Sequence, residues 1–257
     1  MTLPQTPLSI ITIGRGSKRV VCLHGFSQTK ESWLTLIDML SPGLPDTEFV
    51  LVDLPGHGGS GATIADLPQT AELLVSVGGK ATYIGYSLGA RVVLHAALSR
   101  PDAVESCVFI SGTPGIESEV ERAQRRASDA VLADRIEAIG VEAFIDEWLA
   151  QPLFASLTPE QARREERYRN TSHGLAASLR TAGTGTQQPL WNQLAKCLIP
   201  TLLIVGERDE KFRSIATRMN ETLPNSQLAI IPTAGHSAHL EQPASVAQTV
   251  TQFLQRT

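Results

Sequence analysis

A chain of 257 residues with 42% hydrophobic and 19% charged residues can bury a sizeable core, and one α/β domain commonly reaches this length. Its 22 Lys+Arg against 26 Asp+Glu leave a formal charge of -4, so no overall field draws DNA, RNA or an anionic membrane, and an anionic ligand needs a local basic cluster. Cys22, Cys107 and Cys197 are widely spaced among apolar residues without CxxC spacing, which predicts reduced core thiols rather than a disulfide framework or a zinc site. The stretch from Met1 to Lys18 has no basic head followed by an apolar core, and no apolar run nears the length that spans a bilayer, so a soluble cytoplasmic protein is expected.

In chain order, the first short β-branched run is Ile10–Ile13, then Val20–Leu23, followed by helical spacing from Trp33 to Leu40. Phe49–Val52 predicts a strand and Leu67 to Val77 a helix; Thr82–Ile84 predicts the next strand, Leu88 to Leu98 a helix, and Cys107–Ile110 another strand. After an interruption come the strand Thr201–Val205, the helix Ile215 to Leu223, the strand Leu228–Ile231 and the helix Val246 to Leu254. Short, continuously apolar runs suit strands buried on both faces. Their alternation with helices predicts a mostly parallel sheet flanked by helices, with right-handed crossovers. The rhythm breaks from about Gly115 to Ala195, which reads as helical, charged and free of strands. This predicts a helical lid over residues 115–195 inserted into a core of 1–114 and 196–257. Most of its arginines, Arg122, Arg125, Arg126, Arg163, Arg164, Arg167 and Arg169, are interleaved with acids and are expected on solvated faces, in i,i+4 ion pairs.

Gly85-Tyr86-Ser87-Leu88-Gly89 follows a predicted strand and opens a predicted helix. That context defines a nucleophile elbow, whose strained turn leaves no room for side chains two before and two after the serine. The chain order Ser, Asp or Glu, His is then met by Asp209 and His236, each just after its own predicted strand. The expected fold is therefore the α/β-hydrolase fold, with Ser87, Asp209 and His236 as its triad. His24-Gly25-Phe26 follows the second strand, where this architecture draws one oxyanion-hole N–H, so the backbone N–H groups of Phe26 and Leu88 are the expected donors. His24, Asp53 and His57 are expected to be structural, as are His95 and His173. A metal pair of His236 and His239 lacks a third ligand. Arg91 lies one helical turn beyond Ser87, and a guanidinium there suggests a carboxylate substrate. A serine nucleophile leaves esterase, thioesterase, C–C hydrolase or proton-transfer chemistry open, as well as a catalytically silent receptor on the same fold.

Further matches run almost from end to end: His24-Gly25-Phe26-Ser27, Val52 to Ser60, Gly85 to Arg91, Gln151-Pro152-Leu153-Phe154-Ala155-Ser156-Leu157, Gly206 to Phe212 and Ala234 to His239. Through these the chain resembles the 2-succinyl-6-hydroxy-2,4-cyclohexadiene-1-carboxylate synthases of menaquinone and phylloquinone biosynthesis, with Ala90 where many relatives have glycine. The resemblance implies a lyase that eliminates pyruvate from 2-succinyl-5-enolpyruvyl-6-hydroxy-3-cyclohexene-1-carboxylate, a small tricarboxylate, with no cofactor. It also implies substrate binding by Arg91, Arg125 and Arg169 and by the aromatics Tyr86 and Trp148, with Arg122 and Arg126 close enough to exchange roles with Arg125. The alternative is a serine hydrolase of a small carboxylated ester, thioester or C–C bond.

Overall fold

The computed structural model describes residues 8–256; the expectation about the chain's start falls partly on residues 1–7, outside the described ones. Seven strands form one sheet: β1 (Ile10–Ile13), β2 (Lys18–Leu23), β3 (Thr47–Val52), β4 (Ala81–Tyr86), β5 (Val104–Ile110), β6 (Thr201–Gly206) and β7 (Ser226–Ile231). Their order is β1-β3-β2-β4-β5-β6-β7. The β1–β3 pair is antiparallel and every other pair is parallel. β4 and β6 are buried along their whole length, the environment that selects uninterrupted apolar runs. Three helices precede β5, namely α1 (Leu34–Leu40), α2 (Leu67–Gly78) and α3 (Leu88–Ser99). Between β5 and β6 lie α4 (Glu119–Ile139), α5 (Val141–Leu149), α6 (Pro159–Ala162), α7 (Arg164–Arg167) and α8 (Ser172–Ala182). The chain then adds α9 (Glu210–Thr222), α10 (Ala238–Glu241) and α11 (Pro243–Leu254). None of these helices is long and apolar enough to cross a membrane.

The period of two along a strand divides the core. Val21 and Leu23 of β2 join the residues of α2, α3 and α9 on one face, while Val20 and Cys22 join α1 and α11 on the other. All three cysteines are free and buried within these layers. Helix boundaries are written locally: α2 begins on Asp66, which forms a capping box with Gln69, and stops at Gly79 with φ 65. The insertion α4–α8 has its own small core, with Ile136, Phe144, Ile145, Leu175 and Leu179 at its centre and Phe26, Trp148 and Tyr168 packed against it. It meets the rest of the molecule backbone to backbone, since a Cβ on Gly174 would lie 2.5 Å from the Gly56 carbonyl oxygen and one on Gly56 2.3 Å from that of Gly174.

From β2 the chain steps to β3 on one side, and from β4 onward it builds on the other. Such a reversal opens a crevice at the carboxyl ends of the two central strands, where this architecture binds ligands. Here the residues at those ends are His24 to Phe26 after β2 and Ser87 after β4.

Candidate active site

The turn from β4 into α3 is as tight as its glycines require. A Cβ on Gly85 would sit 2.4 Å from the backbone of Gly89, and one on Gly89 would sit 2.2 Å from the Leu23 carbonyl oxygen. Between them Ser87 holds φ 50 and ψ -102, a conformation that costs of order 1–3 kcal/mol and persists only where the surroundings enforce it. Those surroundings are the Ser87 N–H bond to the Ile110 carbonyl at 2.9 Å and the Gly89 N–H bond to His24 at 3.1 Å. The strain lifts the hydroxyl out of the turn.

Asp209 caps α9, accepting from the Phe212 N–H at 3.2 Å through Oδ1, and turns Oδ2 to His236 Nδ1 at 2.7 Å. His236 Nε2 then lies 3.3 Å from Ser87 Oγ. An Nδ1–H donating to the carboxylate leaves Nε2 free to accept from the serine hydroxyl, the tautomer that proton transfer needs. His236 is held from behind by the Ser111 hydroxyl, which donates to its carbonyl at 2.8 Å. The Phe212 ring packs against its imidazole at 4.5 Å between centroids. Ser111 carried no sequence signal for this role, standing where it does only because it follows the last residue of β5, whereas Phe212 belongs to the matching stretch Gly206 to Phe212 without a role having been read for it.

Among the described residues the N–H groups of Phe26 and Leu88 enter no internal hydrogen bond, which leaves both free for a ligand. Two buried histidines shape the loop that carries Phe26. His24 accepts from the Leu54 N–H at 3.1 Å through Nε2 and donates to the Gly25 carbonyl at 2.8 Å through Nδ1. His57 accepts from the Ser27 N–H at 3.2 Å and donates to Pro55 at 2.9 Å. Asp53 accepts from the backbone N–H groups of Lys30 and Gly59, both at 2.8 Å, and from the Lys30 ammonium at 2.5 Å. All three thus serve the loops, as expected from the sequence.

Burial, aided by the nearby His24, pushes His57 down to about 3. Burial, aided by His236 and Arg167, does the same to His239, also to about 3. Both rings therefore stay neutral in the folded protein at pH 5, while the unfolded chain, titrating near 6.5, takes up protons there. Because the unfolded state binds more protons, this contribution to stability is complete above about pH 6.5 and is lost as pH falls toward 3. We expect Tm to drop between pH 7.5 and 4.5. The drop should be smaller in His239→Phe, since neither ring nitrogen of His239 has a partner and the ring lies between Trp33 and Tyr86 at 5.0 and 4.3 Å. Equal pH slopes for wild type and variant, measured by calorimetry, would refute this.

The arginines sort differently from one another. Arg91 is buried at 7% exposure, its Nη1 has no partner among the described residues, and burial together with Arg125 lowers its pKa to about 10. Among the described residues Arg125 is bound only to Asp129, Nε to Oδ1 at 2.8 Å, and its side chain is 41% exposed. Arg122 donates instead to the carbonyls of Ile116 and Glu117, both at 2.7 Å, and pairs with Glu119. Arg126 reaches the Gly185 carbonyl and Glu119. Of the three, Arg125 is the one whose charge acts on Arg91. Arg169 does not join them: its side chain is 55% exposed and its Nη1 is bonded to Glu31 at 2.9 Å. The buried cation of this segment is Arg167, at 2% exposure, lowered to about 10 by burial although Tyr86 raises it. Arg163, at a left-handed φ 49, separates α6 from α7 just before this segment. Nothing in the alternation of charges announces that break.

Two aromatics lie near these groups. Tyr86 bonds Ser237 Oγ at 2.8 Å through its hydroxyl and lies 5.4 Å from the His236 ring. Trp148 stacks on Phe144 at 5.8 Å and meets Phe26 edge-on at 5.3 Å, with its indole N–H buried and unpartnered. The site therefore combines a serine poised on a histidine, two free backbone donors and, in Arg91, a buried guanidinium with an unpartnered nitrogen.

A parallel sheet with a strained serine between glycines and a Ser-Asp-His order defines the alpha/beta hydrolase family, and the chain belongs to it, the family's profile matching residues 20–249. Within it the chain groups with the 2-succinyl-6-hydroxy-2,4-cyclohexadiene-1-carboxylate synthases. It is 39% identical over 252 residues to a Bacillus subtilis (strain 168) protein provisionally given that name, covering 93% of this chain and 90% of the relative. It is 34% identical to the synthase of Escherichia coli O1:K1 / APEC, covering 91% of this chain and 93% of that one. The structure of MenH from S. aureus superposes with a TM-score of 0.89 at 29% identity, over 96% of this chain and 98% of the other. A thermophilic esterase from Thermogutta terrifontis, at 22% identity and TM-score 0.80 over 97% of this chain and 93% of its own, shares the fold.

Proposed function

We propose that this protein is a carbon–oxygen lyase that converts 2-succinyl-5-enolpyruvyl-6-hydroxy-3-cyclohexene-1-carboxylate to 2-succinyl-6-hydroxy-2,4-cyclohexadiene-1-carboxylate and pyruvate, a step of menaquinone and phylloquinone synthesis. The observation that carries this is Arg91, a buried guanidinium one helical turn from a serine–histidine base and with Nη1 unpartnered among the described residues, in a chain grouping with enzymes of that name. An apolar ester gives a buried, unpaired guanidinium nothing to bind, whereas a tricarboxylate does.

The chemistry follows from the two ring names. A 3-ene becomes a 2,4-diene, so the proton leaves the carbon α to the succinyl ketone and the enolpyruvyl oxygen leaves from the far end of the allylic system. His236, oriented by Asp209, draws the proton of Ser87, and the serine oxygen takes the proton from carbon. The C–H electron pair moves onto the ketone oxygen, where the Phe26 and Leu88 N–H groups hold it. Collapse of this enolate forms the diene and expels enolpyruvate, which regains a proton and becomes pyruvate. Arg91, Arg125 and Arg167 answer the three carboxylates, with Arg167 taking the place expected of Arg169, and Tyr86 and Trp148 line the ring site. Residues 115–195 act as a lid over the core of 1–114 and 196–257.

Incubating the protein with the authentic substrate in ¹⁸O-water tests the reading. We expect pyruvate release, a conjugated ring product without ¹⁸O gained through bond cleavage, and no covalent adduct. An acyl-Ser87 species from a carboxylated ester, with no pyruvate from the cyclohexene, would replace the lyase by a hydrolase and leave the fold untouched.

A further inference from the structure

Ser27 follows Phe26 directly and is a non-glycine residue at φ 65, a left-handed conformation that serine holds only when forced. Each of its polar groups is gripped. Its N–H donates to His57 Nε2 at 3.2 Å, its carbonyl accepts from Asn170 Nδ2 at 2.9 Å, and its hydroxyl accepts from Arg167 Nη1 at 2.6 Å. Two of the three partners come from the helical insertion, not from the core.

Asn170 is the hub of this arrangement. It is 5% exposed and fully bonded: Oδ1 accepts from the Gly58 N–H at 2.9 Å, and Nδ2 donates to Ser27 and also to the Arg167 carbonyl at 2.8 Å. One side chain therefore ties the His24–Gln28 loop, the Asp53–Gly61 loop and the turn after α7 together. It stands immediately before α8, whose Thr171 cap and Gly174 seat the helix against Gly56 and Gly61 without intervening side chains. The Phe26 ring is held by the same assembly, 5.7 Å from His57, 6.3 Å from Phe144 and 5.3 Å from Trp148.

We propose that Asn170 is a positioning residue for the Phe26 oxyanion donor, so that seating the helical insertion on the core and completing the oxyanion hole are one event. The proposal rests on the oxyanion role given to Phe26 above. The Phe26 N–H lies in the peptide joining Gly25 to Phe26, whose carbonyl accepts from the Gln28 N–H at 3.1 Å and from His24 Nδ1 at 2.8 Å, and Ser27, fixed on three sides, anchors the other end of that same Gly25–Gln28 turn. Without the insertion's two bonds, Ser27 relaxes toward ordinary backbone angles, the Gly25–Gln28 turn loses its closed form, and the donor it carries shifts with it.

Asn170→Ala and Asn170→Asp test it together. The aspartate keeps an acceptor for the Gly58 N–H but has no donor for the Ser27 carbonyl, so it separates anchoring of the loop from aiming of the donor. Both variants should lower kcat for pyruvate release about 10- to 100-fold, less than the roughly 10²–10³ that loss of a whole oxyanion donor costs, with KM within about threefold of wild type. The ¹⁵N–¹H resonance of Phe26 should shift in Asn170→Asp while that of Leu88, carried by α3, stays in place. Wild-type kcat in Asn170→Asp, or a Phe26 resonance that does not move, overturns the proposal. A wild-type protein that releases no pyruvate sinks the elimination reading instead, and the Phe26 resonance still decides this one because it needs no substrate.

Discussion

Ser87→Ala is expected to lower kcat for pyruvate release by at least about 10³-fold with little change in KM, within the 10²–10⁴ that a positioned base contributes plus its coupling to the relay. The fold should survive, because alanine removes only the hydroxyl that His236 reaches at 3.3 Å and leaves the glycine contacts around the turn intact. His236→Ala should cost a similar amount. Combining the two should cost little more, since a serine without its histidine and a histidine without its serine both lack the same proton route. Steady-state rates of the single and double variants form the test. Multiplying losses would mean that the two groups act on different protons, and a Ser87→Ala enzyme retaining more than a tenth of the rate would make His236 the sole base.

Arg91→Met is expected to move activity and stability in opposite directions. Loss of charge-assisted hydrogen bonds, each worth about 1.5–3 kcal/mol, should reduce kcat/KM about 10- to 150-fold, while turnover of a neutral nitrophenyl ester, if present at all, should be unaffected. The free enzyme should nevertheless become more stable. Arg91 is buried with an unpartnered Nη1 and feels the charge of a second cation, Arg125, an arrangement that costs folding free energy until an anion arrives. Replacing buried charge by a well-packed apolar side chain of similar length can gain about 1–4 kcal/mol, read as a higher Tm without ligand. Unchanged kcat/KM for the tricarboxylate would remove Arg91 from the substrate site, and a lower Tm would show that the guanidinium is satisfied after all.

Much of this was legible in the sequence because it is local. The seven strands announce themselves as short β-branched runs, and Gly85 and Gly89 fix the elbow by the space they leave. Asp209 and His236 follow from strand ends and chain order. Asp53 and His57 also read correctly as loop anchors, since a glycine-rich loop needs internal partners. The insertion is where the reading stops. Arg169 was expected from the resemblance alone, and the left-handed Arg163, a backbone reversal at a residue type that does not favour it, is not announced by any local pattern. The grip of Asn170 on Ser27 spans 143 positions and depends on how α8 docks, which no local pattern encodes.

The distance along the chain between Ser87 and His236, 149 positions, bears on how the molecule comes into being. Strands β1 to β5 can pair among themselves before residues 201–231 have left the ribosome, and β6 and β7 then add in turn to one edge. A nascent chain at that halfway stage already displays its nucleophile elbow but has neither base nor acid partner for it, because both ride on the last two strands. Until β6 and β7 pair onto that edge, Ser87 has no proton acceptor and the relay does not exist.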